Sequence, residues 1–158
     1  MAMIRPRSGN FIYDKCEIRI MLNDISEAKN VGINGVVFGA LSSIIDGWLD
    51  ENALKELIEA SKGLQKTFHM AFDSILPELQ FKAIDWLSEN GIDRILTHGG
   101  PGNAPIEKNF DHLKALIKYA KNKIIILPGG KITAENSKKV METLGIFEVH
   151  GTKIVNFD

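Results

Sequence analysis

The sequence predicts an α/β fold on a parallel sheet, of the (β/α)8 TIM-barrel type but carrying six βα units. Three observations lead there. Apolar strand candidates begin near residues 3, 35, 67, 94, 123 and 146. They lie roughly 30 residues apart, room for a strand and one crossover helix, which implies parallel strands with right-handed connections. Signature loops follow several of these strands, as in a barrel whose site gathers residues from many strand ends. No G-x-G-x-x-G follows the first strand, as a dinucleotide-binding doubly wound sheet would require. A whole barrel takes eight units and typically ~250 residues. At 158 residues the chain is expected to form one incomplete barrel domain over residues 1–158.

The elements follow in order. Met3 to Arg7 reads as the first strand, with Arg5 and Arg7 on one face. Ser8-Gly9-Asn10 is a loop, and Asp14 with Glu17 resembles a capping box. Ile18, Met21, Leu22, Ile25 and Ala28 then form the apolar stripe of a helix that Gly32 ends. Gly35 to Gly39 suits a strand buried on both faces. A loop through Ser42-Ser43 and Asp46-Gly47 leads to a helix from about Asp50 to Lys62, which buries Leu54, Leu57 and Ile58. Thr67 to Asp73 reads as the third strand. Alternation puts Phe68, Met70 and Phe72 on one face and Thr67, His69, Ala71 and Asp73 on the other. Pro77 starts a helix with Leu79, Ala83, Ile84 and Leu87 inward, ended by Asn90-Gly91. Arg94 to Thr97 is the fourth strand, running into His98-Gly99-Gly100-Pro101-Gly102. After Pro105 comes a helix with Leu113, Leu116, Ile117 and Ala120 inward. Lys123 to Leu127 is the fifth strand, closed by Pro128-Gly129-Gly130. Thr133 caps a helix to about Thr143, stopped by Gly145, and Phe147 to His150 is the last strand. Lys153 to Asp158 is too short for a closing helix.

Composition narrows the function classes. The net charge of −1 shows no basic excess, so no nucleic-acid partner is expected. Apolar runs such as Ile124 to Leu127 are far too short to span a bilayer, so no membrane role is expected. The start, Met1-Ala2-Met3-Ile4-Arg5, lacks the apolar core of a secretory signal. A single cysteine, Cys16, cannot form an internal disulfide and fits a reducing compartment. The expectation is a cytoplasmic protein.

Five ordered stretches are specific enough to suggest a family: Met3 to Tyr13, Gly35-Val36-Val37-Phe38-Gly39, Thr67 to Asp73, Leu96-Thr97-His98-Gly99-Gly100 and Leu127-Pro128-Gly129-Gly130. Together they resemble the CutC family of copper homeostasis proteins, over nearly the whole chain. The resemblance implies a TIM barrel. It makes the first strand here the family's third and the last its eighth, so the first two strands and the last helix are lacking. It also implies copper as a cofactor or cargo. The family's cysteines proposed for copper lie on the two strands without a counterpart, however, and copper(I) prefers such soft thiolates. Three positions depart from the family's usual pattern: Met70 where Arg follows the His, His98 where Ser precedes the paired glycines, and Lys131 where a third Gly is common.

The strand positions implied by the resemblance place Arg5, Arg7, His69, Asp73 and Gly129-Gly130 on alternate strands, which in a barrel share interior layers. If the chain is an enzyme, a question the residues leave open, His69 is the expected general acid/base, with Asp73 orienting it or sharing the proton work. Arg5, Arg7, Thr97, Gly99, Gly100, Gly129, Gly130 and Gly151 are the expected contacts of a small anionic or phosphorylated ligand, because glycine-lined strand ends and a helix N-terminus offer backbone N–H groups. The competing reading is a divalent metal held by His69, His98 and His150. A third is an inactive barrel fragment. An open six-stranded sheet has two exposed edges, which leads to the expectation of a homo-oligomer.

Overall fold

The computed structural model describes residues 1–42, 45 and 47–154. Parts of the expected loop after the second strand (Ser43, Ile44, Asp46) and the last four residues of the expected tail lie outside them. The elements are β1 (Ala2–Met3), α1 (Lys15–Asn30), β2 (Gly35–Phe38), α2 (Glu51–Ala60), β3 (Gln65–Phe68), α3 (Pro77–Glu89), β4 (Arg94–Thr97), α4 (Phe110–Ala120), β5 (Ile125–Pro128) and α5 (Ala134–Leu144). Single 3₁₀ turns cover Met70–Ser74 and Ile106–Asn109.

All five strands pair in parallel, in the order β1-β2-β3-β4-β5. Each strand lies beside its predecessor in sequence, the barrel arrangement, and the order never reverses as in a doubly wound sheet. A parallel bridge from Gly129 to His150 continues the series where a last strand was expected. Among the described residues that strand is reduced to this one bridge. No helix of the described residues is long and apolar enough to cross a membrane.

Parity divides the sheet. Val36, Phe38, Phe68, Ile95 and Ile126 are buried against the helices. There they meet Met21 and Ile25 of α1, Leu54 and Leu57 of α2, Ile84 and Leu87 of α3, and Leu116 of α4. A second cluster joins Leu113 of α4 to Val140 and Leu144 of α5 through Ile106 and Ile132. The opposite face holds Met3, Val37, Thr67 and Arg94 in register. Near the strand starts, Arg94 crosses this inner face to Glu148, with Nε donating at 2.8 Å, and to the Gln65 side-chain oxygen at 3.3 Å.

Caps set the helix starts where the sequence places them. Asp14 Oδ1 accepts from the Cys16 and Glu17 amides at 2.7 and 2.9 Å, and Glu17 Oε2 accepts from the Asp14 amide at 2.9 Å. Replacing Asp14 by Ala is expected to cost about 1 kcal/mol, read from the urea midpoint, while Asn retains most of the stability. Equal losses for Ala and Asn would show that the cap is not the source. At the other end of the chain, Gly145 closes α5 in the left-handed conformation at φ 66°, which glycine adopts without a Cβ penalty.

Two strands are shorter than expected. The first stops at Met3 rather than reaching Arg7, although Ile4 still donates to the Val37 carbonyl at 2.8 Å. Pro6 has no N–H with which to continue the ladder. The third stops at Phe68, and Met70–Ser74 winds into a 3₁₀ turn instead of extending to Asp73. The His69 ring caps this turn: its Nδ1 accepts the Ala71 amide at 3.2 Å. Alternation therefore ends at His69, and Ala71 and Phe72 are both fully buried.

Candidate functional site at the barrel mouth

Strand ends gather at one rim. The ladder is extended there by His69 N–H to the Phe38 carbonyl, Gly129 N–H to Thr97 and His150 N–H to Pro128, at 2.9, 2.9 and 2.8 Å. His69 is 3% exposed, and its ring lies against Gly39, where any Cβ would meet Cε1 and Nδ1 at 2.7 Å. With Nδ1 accepting from Ala71, the ring proton sits on Nε2. Nε2 has no partner among the described residues. Burial first, and then the nearby Arg5 charge, depress the His69 pKa to about 4, so the ring is neutral at pH 7.

Two further polar atoms are buried here without partners among the described residues, Arg5 Nε and the Tyr13 hydroxyl. Arg5 is anchored through Nη2 to the Gly9 carbonyl at 2.7 Å, with its guanidinium carbon 4.6 Å from the Phe11 ring centre. The Phe11 ring in turn stands 4.8 Å from the His69 ring, tilted by 50°. Burial raises the Tyr13 pKa, and the Arg5 charge opposes that shift. The Tyr13 hydroxyl is close enough to Arg5 to feel its charge, but no bond of good geometry joins them. The cluster thus presents three hydrogen-bonding groups, one of them cationic, around an aromatic wall.

Arg7 does not join it. Its Nε pairs with Glu17 at 2.5 Å, and its terminal nitrogens donate to the carbonyls of Ser8, Asn10 and Ile12. Its guanidinium stacks 5.2 Å from the Tyr13 ring centre. The shared face expected for Arg5 and Arg7 is lost because the strand ends before either of them.

Asp73 does not orient His69 either. The 3₁₀ turn carries its carboxylate to the end of β4, where it accepts from the Thr97 hydroxyl, from the His98 amide at 2.9 Å and from the Gly99 amide at 3.3 Å. Burial raises its pKa, and these three donors pull the other way. The anion held by Thr97 and Gly99 is therefore the chain's own carboxylate. The remaining glycines expected to line a ligand make room for protein atoms. A Cβ on Gly100 would meet Asn109 Oδ1 at 2.6 Å, and one on Gly151 the Ile132 carbonyl at 2.1 Å. On Gly129 it would meet Leu96 at 2.5 Å, and on Gly130 the His98 ring at 2.9 Å and the Met70 methyl at 3.3 Å.

The three expected metal histidines are not assembled. The His98 ring nitrogens face the Gly129 and Ala104 carbonyls at 2.9 and 3.0 Å, so both are turned to protein atoms rather than to a shared metal position. His69 Nδ1 is occupied by Ala71, and His150 is exposed at the rim. Among the described residues no three His, Cys, Asp or Glu stand together in a way that could hold a metal.

Sequence reasoning passed over Tyr13 and Phe11 as site residues. Tyr13 precedes the Asp14 cap, a position that reads as a structural staple for α1. The signal was an aromatic hydroxyl within the same stretch as Arg5.

Sheet order and a rim of strand-end residues define an incomplete barrel of the TIM type with its polar cluster at the mouth. The chain belongs to the CutC family, whose model matches residues 1–155. A CutC family protein of Enterococcus faecalis is 61% identical over 155 residues, covering 98% of this chain and 73% of that protein. A crystal structure described as the copper homeostasis protein CutC from Streptococcus agalactiae superposes with a TM-score of 0.93 at 44% identity, again over 98% of this chain and 73% of that one. An aldolase, QR15, shares the fold with a TM-score of 0.71 at 18% identity, over 96% of this chain and 67% of its own.

The family's name raises copper, and the described residues do not fit it. The single thiol, Cys16, is exposed on the first turn of α1, where Arg19 donates to its sulfur at 3.2 Å. A cation beside the sulfur and the absence of a second cysteine make a poor copper(I) thiolate site.

Proposed function

We propose that this CutC-family chain binds a small anionic ligand at the barrel mouth, between Arg5, Tyr13 and His69. One observation carries the reading: three polar atoms of these residues are buried with no protein partner among the described residues. An unpaired buried donor costs roughly 1–3 kcal/mol. Three in one cluster are sustained most simply by a ligand that the folded chain is built to receive. Arg5 supplies the charge, while neutral His69 donates through Nε2–H without gaining or losing a proton. Copper binding, the other role suggested by the family, has no donor set among these residues.

The reading is tested by proton–nitrogen NMR of the His69 imidazole and the backbone, titrating acetate, pyruvate and inorganic phosphate at pH 7. At least one of these anions is expected to shift His69 Nε2–H and the amides near Phe11. Arg5→Gln, which removes the charge, is expected to weaken that binding about 10- to 100-fold, the worth of a hydrogen bond to a charged group. Unmoved His69 resonances throughout, or equal affinity in Arg5→Gln, would overturn it.

A further inference from the structure

We infer that the mouth site is built for a singly charged carboxylate with an adjacent oxygen, a 2-oxo or 2-hydroxy acid, rather than for a phosphate. The inference rests on the ligand reading above and adds the ligand's chemical class.

Charge is the first reason. Arg5 brings the one cation of the cluster, since Arg7 is paired with Glu17. His69 adds a donor but no charge, its Nδ1 being an acceptor for Ala71. A site with one positive charge matches a monoanion, whereas a phosphate near neutral pH carries up to two negative charges.

Donor supply is the second. Phosphate sites at strand ends draw on loop amides and helix N-termini, and two of the glycine amides placed here, those of Gly99 and Gly129, are engaged within the chain. Gly99 N–H donates to Asp73 and to Thr97 Oγ1, and Gly129 N–H donates to the Thr97 carbonyl. The space above Gly130 holds His98 and Met70. Among buried side chains of the described residues, three unpartnered groups remain, on one side of the rim.

These three groups are assigned to two oxygen sites. Arg5 Nε takes the carboxylate. His69 Nε2–H and the Tyr13 hydroxyl take the neighbouring 2-oxo or 2-hydroxy oxygen, since a tyrosine hydroxyl both donates and accepts. The Phe11 ring, in contact with both the Arg5 guanidinium and the His69 ring, offers an apolar wall to the ligand's carbon end. An inorganic anion gains nothing from that wall.

The test compares pyruvate, lactate, acetate and inorganic phosphate on the whole chain, by NMR titration at pH 7 and matched ionic strength. Pyruvate or lactate is expected to bind at least about ten-fold more tightly than acetate or phosphate, the worth of one good hydrogen bond with a charged or polarised group. Tyr13→Phe, which keeps the ring and its packing, is expected to narrow that preference. Tightest binding by phosphate at the same His69 resonance would overturn the inference and leave the anion reading standing. Equal affinity for acetate and pyruvate, or a preference unchanged in Tyr13→Phe, would also overturn it. Silence from all four anions would overturn both.

Discussion

Replacing Asp73 by Ala is expected to destabilise the chain by about 3 kcal/mol, because two or more buried donors each lose a partner worth roughly 1–3 kcal/mol. The His98 amide makes both of its bonds to this carboxylate, and the Thr97 hydroxyl has it as acceptor. The Gly99 amide keeps Thr97 Oγ1 at 2.9 Å and is less exposed to the loss. One effect runs the other way. Burial already raises the Asp73 pKa, so its removal relieves a desolvation cost. The donors prevail because a methyl group accepts nothing. Asn keeps one acceptor oxygen and should lose about half as much. Urea unfolding at pH 7 with an unchanged m-value reads both losses. A loss for Asp73→Ala within ~0.5 kcal/mol of wild type, the range of ordinary surface changes, would mean that the turn does not depend on this carboxylate.

Asp73 also shows where the sequence stopped being legible. The βα order was readable because periodicity reports which side of an element is buried, and that is local information. The Asp14–Glu17 cap was readable for the same reason. The break of the third strand at His69 was not. Phe68, Met70 and Phe72 alternate with smaller or polar residues whether the backbone is extended or turned. What decides is a contact between Asp73 and the end of β4, 24 residues on. Arg5 and Arg7 fail similarly: two arginines two residues apart share a face only while the strand lasts. His69 and Arg5 nevertheless stand out in the sequence, because a histidine and an arginine at strand ends of a barrel are costly to bury and so carry a signal of their own. Asp73 looked equally costly, and its partners turned out to be structural.

Acidification is expected to weaken the fold through His69, by on the order of 3 kcal/mol between pH 6.5 and 4. Above pH 6.5 the ring is neutral in both folded and unfolded chains, and the full stability is present. As the pH falls, the unfolded chain takes up a proton near the ordinary value of 6.5, while the folded site resists until about 4. The unfolded state binds more protons throughout that window, so stability drops by about 1.4 kcal/mol per pH unit and levels off below it. Asp73 has the opposite sign. Its raised pKa leaves the folded carboxyl protonated where the unfolded one is ionised, so its contribution grows as the pH falls. The wild-type profile is therefore shallower than that of His69 alone, and the comparison must be with a variant. His69→Gln removes the titration. Its stability at pH 7 will differ through lost packing on Gly39 and Phe11, but its slope from pH 6.5 to 4 should lack the His69 component. Parallel profiles for wild type and His69→Gln would contradict a buried neutral ring. The same measurement bears on chemistry. A histidine that refuses a proton until about pH 4, with Nδ1 held by the Ala71 amide, can serve at neutral pH as a fixed hydrogen-bond donor. To act as a general base it would first have to give up that backbone bond.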